Sequence, residues 1–175
     1  IRNISKNKVV VRTLPSINNI VEGKISISDI RDLEVSDIFV RETNISDLNL
    51  LKKKIKDKVV MITGAGGSIG SELSRQIFYL NPQKIVLIEI NEYSLYKINQ
   101  ELNEIKKKKD IFSKIKIIPL LASVVDEQRI NKILGIYKPN ILYHAAAYKH
   151  VTMVEENICE GIKNNVFGTL ITANA

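Results

Sequence analysis

The sequence has little of what secreted and membrane-spanning proteins need. It contains a single cysteine, Cys159, which excludes a disulfide within the chain and suits a reducing compartment. No apolar run approaches the length of a membrane-spanning helix, and the first residues, IRNISKNKVVVR, lack the long apolar core of a signal peptide. We therefore expect these residues to be soluble and to make no direct contact with a membrane.

Aromatic residues are missing where nucleic-acid binding would need them. The net charge is +7, but the lysines concentrate in LKKKIKDK and EIKKKKD, which contain no aromatic side chain on which a base could stack. Such runs are typical of solvated helix ends and loops. We predict no nucleic-acid partner and assign no metal site. Of the 175 residues, 45% are hydrophobic, enough for one domain with a core and an appendage.

The most informative stretch is VVMITGAGGSIGSEL, residues 59–73. Its first five residues are apolar and β-branched, which is typical of a strand buried on both faces. Three glycines follow, Gly64, Gly67 and Gly70, and then apolar residues at helical spacing. A helix N-terminus offers unpaired N–H groups, and glycines let a diphosphate approach them closely. The pattern predicts a dinucleotide-binding turn, and the alternative is a tight turn without a ligand.

Further strands and helices alternate along the rest of the chain. A second buried strand, KIVLIEINE, contains Glu89, about twenty residues past the glycines, where a dinucleotide fold places an acid on the adenosine ribose. We predict a third strand over Lys114–Ala122, a helix capped by Asp126, a fourth strand in NILYHAAA that runs into a loop after His144, and a last helix from about Ile158. This order predicts an α/β fold, a doubly wound parallel sheet of Rossmann type with its ligand at the strands' C-terminal ends.

Residues 1–57 show no repeating period. Their apolar patches are broken by Pro15, Gly23 and many serines and aspartates, so they favour an irregular segment with one or two short helices, such as SISDIRDL. The segment is too short for a core of its own but too apolar for a disordered tether. We expect it to pack on the dinucleotide-binding domain, residues 58–175, and the alternative is a linker.

Several motifs together resemble a known family. TGAGGSIGSEL, YHAAAYKHV and NNVFGT are similar to motifs of the extended short-chain dehydrogenase/reductases. VRTLPS, GKISISDIRDLEVSDI and AAAYKHV narrow the resemblance to the membrane-associated nucleotide-sugar 4,6-dehydratases of bacterial polysaccharide biosynthesis, which act on UDP-N-acetylglucosamine. The similarity extends from about Val10 to Ala175.

The resemblance implies NAD as cofactor and a set of residues that bind it. Those residues match the diphosphate turn, the ribose acid, the adenine position and the small-residue strand end along the cofactor: Thr63, Gly64, Gly67, Ser68, Ile69, Gly70, Glu89, Ser123, Ala145, Ala146 and Ala147. Relatives often carry Asp where Ser123 stands. A serine hydroxyl can also accept a hydrogen bond from the adenine amino group, although it carries no charge. NAD is expected over NADP because Glu89 repels a 2′-phosphate and no arginine follows it.

Three residues near the fourth strand match the family's substrate side. Lys149 and His150 match the loop that faces the nicotinamide and the sugar, and Asn165 matches an asparagine that braces the active-site backbone. Taken without the resemblance, Lys149 is a solvated loop lysine and His150 a histidine bonded to backbone groups. Tyr148 either packs on the cofactor or covers the loop. Cys159 has no base nearby in the sequence, which argues against a nucleophilic role.

The implied reaction is an internal redox cycle on the nucleotide sugar. Hydride leaves C4 for NAD, water is eliminated across C5 and C6, and hydride returns to C6. The proton-transfer residues of the family would lie beyond Ala175, so we expect these 175 residues alone to bind cofactor without turnover. The resemblance also implies a homo-oligomer at the inner face of the bacterial cytoplasmic membrane, held by helices upstream. A nucleotide-sugar 4-epimerase and a noncatalytic dinucleotide-binding module remain the alternatives.

Overall fold

A computed structural model describes residues 12–13, 31–32 and 48–175 of the chain. In the first of two units, Ile1–Ile45, strand β1 (Arg12–Thr13) pairs antiparallel with strand β2 (Arg31–Asp32). In the stretch SISDIRDL, where a short helix was predicted, Arg31 and Asp32 are extended and pair with β1, which corrects the prediction at these two residues. The other residues of that stretch lie outside the described ones. The predicted packing of residues 1–57 on the next domain concerns mostly residues outside the described ones and stays a prediction.

The second unit, Ser46–Ala175, alternates helices and parallel strands. Its elements in chain order are α1 (Leu48–Ile55), β3 (Val59–Thr63), α2 (Ser68–Tyr79), β4 (Lys84–Glu89), α3 (Glu92–Lys108), a 3-10 turn (Asp110–Phe112), β5 (Lys116–Leu121), α4 (Glu127–Tyr137), β6 (Ile141–His144), α5 (Val151–Glu156), α6 (Ile158–Ile162), a π-helical turn (Lys163–Phe167) and α7 (Gly168–Asn174). None of the helices in the described residues is long and apolar enough to cross a membrane.

The four strands of this unit form one parallel sheet in the order β5-β4-β3-β6. The chain builds outward from β3 through β4 to β5 and then returns to the other side of β3 with β6. The direction of winding therefore reverses between β3 and β6, whose last residues, Thr63 and His144, are in register. A parallel, doubly wound sheet was predicted, and the structure confirms it. Ligands of such sheets bind beyond the strand ends at this point of reversal.

Both faces of the sheet are covered, which explains the continuous apolar runs of its inner strands. Val60 and Ile62 of β3 pack with Phe78 of α2 on one face, whereas Met61 of β3 packs with Ile130 of α4 on the other. Every residue of β3 is buried. The rigid sheet therefore holds the loops at its C-terminal edge in fixed relative positions.

The region after β6 differs most from the prediction. Strand β6 ends at His144, where the following loop was predicted to begin, and the three alanines lie in that loop. Helix α5 was not predicted, and the last predicted helix contains a π-helical turn, Lys163–Phe167, between α6 and α7. π-Helical turns are rare in proteins, and those that occur are often found at functional sites.

Candidate functional site

The glycine turn joins β3 to α2 at the point where the sheet reverses direction. Gly64 has a positive φ of 64°, and Gly67 is the extended N-cap residue of α2, with its N–H donating to the Gly64 carbonyl at 3.1 Å. No side chain caps this helix. The N–H groups of its first turn have no partner within the helix, and together with the helix dipole they suit an anionic group such as a diphosphate.

The predicted glycines have different physical roles. A Cβ on Gly64 would lie 2.7 Å from the Ala145 carbonyl carbon, and a Cβ on Gly70 would overlap the Gly64 carbonyl oxygen. Both residues are therefore small so that backbone segments can pack together. A Cβ on Gly67 would meet only the Gly64 oxygen, at 3.3 Å, and Gly67 otherwise faces open space. Of the three, Gly67 is the residue whose size leaves room for a ligand.

Glu89 is fixed at the end of β4 by three backbone N–H groups. Its Oε2 accepts from Gly66 at 2.9 Å, and its Oε1 accepts from Ile90 at 2.9 Å and Asn91 at 3.0 Å. The residue is only 8% exposed. A carboxylate has about four acceptor positions, so one remains for a ligand hydroxyl in this conformation. Gly66, which the sequence analysis did not single out, ties the glycine turn to the predicted ribose acid.

Two cavities open at this edge of the sheet. The first brings together most of the predicted cofactor residues: Gly64, Gly67, Glu89, Ser123, Ala145, Ala146 and Ala147. The second, of about 540 Å³, contains Gly67, Ser68, Ile69, Ala145 and Ala147 together with Lys149 and His150. Its volume falls within the range typical of small-molecule sites. Tyr148 lines both cavities, which therefore form adjoining parts of one cleft.

Three predicted residues do not line the cleft. Thr63 is buried at the end of β3, and its hydroxyl contacts His144. Gly70 packs against the turn as described above. Asn165 lies behind the cleft wall and contacts it through Tyr148: its Oδ1 accepts from the Tyr148 N–H at 2.8 Å, and its Nδ2 donates to the Tyr148 carbonyl at 2.9 Å. One amide side chain thus holds both polar groups of a single backbone residue.

Some cleft residues were missed by the sequence analysis. Asn164, buried in the π-helical turn, lines the first cavity and donates to Asn165 Oδ1 at 3.0 Å. Met153, Asn157 and Glu160 line the second cavity. These three residues are four and three positions apart, which is the spacing of residues on one side of a helix. A helix predicted from Val151 would therefore have indicated that they line the same surface. No cluster of three potential metal ligands exists among the described residues.

Comparison with known proteins identifies the family. A family model described as polysaccharide biosynthesis protein matches residues 60–175. The chain belongs to this polysaccharide biosynthesis protein family. The capsular polysaccharide biosynthesis protein CapD of Staphylococcus aureus is 38% identical over a match that covers 89% of this chain and 25% of CapD. The probable polysaccharide biosynthesis protein EpsC of Bacillus subtilis is 36% identical over 95% of this chain and 27% of EpsC. The uncharacterized membrane protein MJ1061 of Methanocaldococcus jannaschii is 36% identical over 65% of this chain and 31% of MJ1061.

This member of the polysaccharide biosynthesis protein family also shares its fold with an enzyme of known structure that acts on a nucleotide sugar. UDP-glucose-4-epimerase from Stenotrophomonas maltophila, solved with bound NAD and formylated UDP-arabinopyranose, matches with a TM-score of 0.53 and 16% identity over 67% of this chain and 32% of that chain. At that identity the likeness concerns the fold alone. The chain spans about a quarter of the length of CapD and EpsC.

Proposed function

We propose that the chain is the NAD-binding part of a UDP-N-acetylglucosamine 4,6-dehydratase of bacterial polysaccharide biosynthesis. The observation that carries the proposal is the cleft at the point where the sheet reverses, in which the glycine turn, the buried carboxylate of Glu89 and three alanines meet. Family membership supports polysaccharide biosynthesis as the setting. The specific substrate rests on the motifs AAAYKHV and VRTLPS.

The residues of the cleft fit a dinucleotide. Gly67 leaves open the space in front of the uncapped N-terminus of α2, where the diphosphate would lie. The remaining acceptor position of Glu89 would take a ribose hydroxyl, and Ser123 lies in the same cavity for the adenine. Ser123 Oγ accepts the Val125 N–H at 3.4 Å, which leaves a second lone pair for the adenine amino group. The alanines after β6 would line the dinucleotide's path.

The second cavity would receive the nicotinamide end and the sugar. Lys149 and His150 line it on one side, and Glu160 of α6 lines it as well. Bound NAD would supply the hydride acceptor for C4 of the hexose and the hydride donor for C6. The residues of this chain would bind and orient the reactants, and the groups that move protons would lie in other parts of the polypeptide. A homo-oligomer at the inner face of the cytoplasmic membrane belongs to the same proposal.

The test is to incubate the full-length protein with UDP-N-acetylglucosamine and follow the sugar by NMR. Loss of the C6 hydroxyl and appearance of a 4-keto-6-deoxy sugar without net consumption of NAD is the expected result. Conversion to the C4 epimer instead would identify a 4-epimerase. Unchanged sugar in a protein that retains NAD would favour a noncatalytic dinucleotide-binding module.

A further inference from the structure

His144 joins the ends of the two strands that flank the point of reversal to the helix behind the cleft. Its Nδ1 lies 2.8 Å from Thr63 Oγ1 on the neighbouring strand β3, and its Nε2 lies 3.0 Å from Thr169 Oγ1 on α7. Thr63 is fully buried and His144 is half-buried. Thr63 was predicted to bind the cofactor, but Thr63, His144 and Thr169 line neither cavity, and these contacts therefore have a different role.

The hydrogen bonds of Thr169 assign the proton on the imidazole. The Thr169 hydroxyl donates its only hydrogen to the Asn165 carbonyl at 2.7 Å, so its oxygen must accept from His144 Nε2–H. In a neutral imidazole Nδ1 then carries no proton, and it accepts from the Thr63 hydroxyl. Burial lowers the pKa of His144, which favours this neutral form. The result is a directed series of hydrogen bonds from β3 to the π-helical turn.

That series ends at the residue that holds the cleft wall. Asn165 receives the Thr169 hydroxyl on its backbone carbonyl and holds both backbone groups of Tyr148 with its side chain. Tyr148 lines both cavities. We infer that His144 is a positioning residue: as the Nε2–H tautomer it fixes the π-helical turn against the sheet and thereby sets the Tyr148 backbone that forms part of the dinucleotide cleft. The effect on the cofactor rests on the proposed function, whereas the effect on Tyr148 does not.

Two threonines of α7, exposed Thr169 and buried Thr172, make the same hydrogen bond within the helix and allow two variants to be compared. Thr169 and Thr172 each donate to the carbonyl four residues earlier, at 2.7 Å, but only Thr169 also contacts His144. Thr172 is 7% exposed and lies outside the cleft, so Thr172→Val should lower stability without changing NAD affinity. Thr169→Val removes one hydrogen bond more than Thr172→Val, the bond to His144. In the full-length protein it should therefore weaken NAD binding roughly three- to tenfold by calorimetry, and Thr169→Ser should restore it.

Amide hydrogen exchange of Tyr148 tests the inference without cofactor. Exchange should be faster in Thr169→Val than in the wild-type protein and unchanged in Thr172→Val. The ¹⁵N shifts of His144 should show the Nε2–H tautomer in the wild-type protein. An Nδ1–H tautomer, or equal Tyr148 exchange in Thr169→Val and wild type, would overturn the inference. Failure of the wild-type protein to bind NAD would instead refute the proposed function and leave the exchange result to decide the role of His144.

Discussion

Substituting Gly64 by alanine should destabilise the domain through two separate causes. The residue has a φ of 64°, and an L-residue in this left-handed region costs roughly 1–2 kcal/mol. The new Cβ would also lie 2.7 Å from both the carbon and the oxygen of the Ala145 carbonyl and 2.8 Å from Ala146 Cα. These neighbours are backbone atoms that cannot rotate away, and overpacking of this kind costs about 1–3 kcal/mol. We expect a loss of about 2–5 kcal/mol from the free energy of unfolding.

Gly135→Ala is the matched control for this substitution. A Cβ there would meet nothing within 4 Å, and Gly135 lies in helix α4, where alanine is favoured over glycine by up to about 1 kcal/mol. Thermal unfolding of the full-length protein should therefore rank Gly135→Ala at or above wild type and Gly64→Ala well below it. Because relief of the Gly64 clash moves the loop after β6, NAD affinity should fall as well. A Gly64→Ala protein with wild-type melting temperature would refute the packing argument.

Other perturbations separate the proposed roles of the site residues. NAD should bind more tightly than NADP because the buried Glu89 carboxylate repels a 2′-phosphate, and equal affinities by calorimetry would contradict this. Lys149→Ala and His150→Ala should each reduce turnover with little change in melting temperature, since both side chains are exposed on the second cavity; the reverse pattern would indicate a structural role. Burial lowers the pKa of His144 below its ordinary value of about 6.5, so His144 is protonated more readily in the unfolded chain than in the folded domain. The free energy of unfolding should therefore decrease as the pH falls below that value, and denaturant titrations should show a smaller decrease in His144→Gln.

The elements that the sequence predicted best are those with a local signature. Strand β3 is apolar from Val59 to Ile62 because both of its faces are buried. Asp126 caps α4 by accepting the Arg129 N–H at 2.9 Å, as its position before the helix indicated. Ser123 and the alanines after β6 line the first cavity, although their binding roles stay predictions. These features depend on neighbouring residues or on the spacing of a known motif.

The features that escaped prediction depend on contacts between distant parts of the chain. Thr63 and His144 are separated by 81 positions, and only the pairing of β3 with β6 brings their side chains together. The loop after His144 was predicted, but the close approach of its residue Ala145 to Gly64 was not, because the two residues are distant in the sequence. Neither the π-helical turn nor the hydrogen bond between Gly66 and Glu89 has a signature in a single sequence.

The position of the Gly64 carbonyl oxygen limits which residues of the glycine turn can be replaced during evolution. It accepts the Gly67 N–H, and it occupies the space that a side chain at position 70 would need. The glycines at 64 and 70 are thus required by the backbone whether or not a ligand is present, whereas position 67 is constrained mainly by what lies in front of α2. A descendant that lost its dinucleotide would keep the outer two glycines and be free to replace the middle one. Drift at the middle position alone would then mark a family member that has stopped binding a dinucleotide.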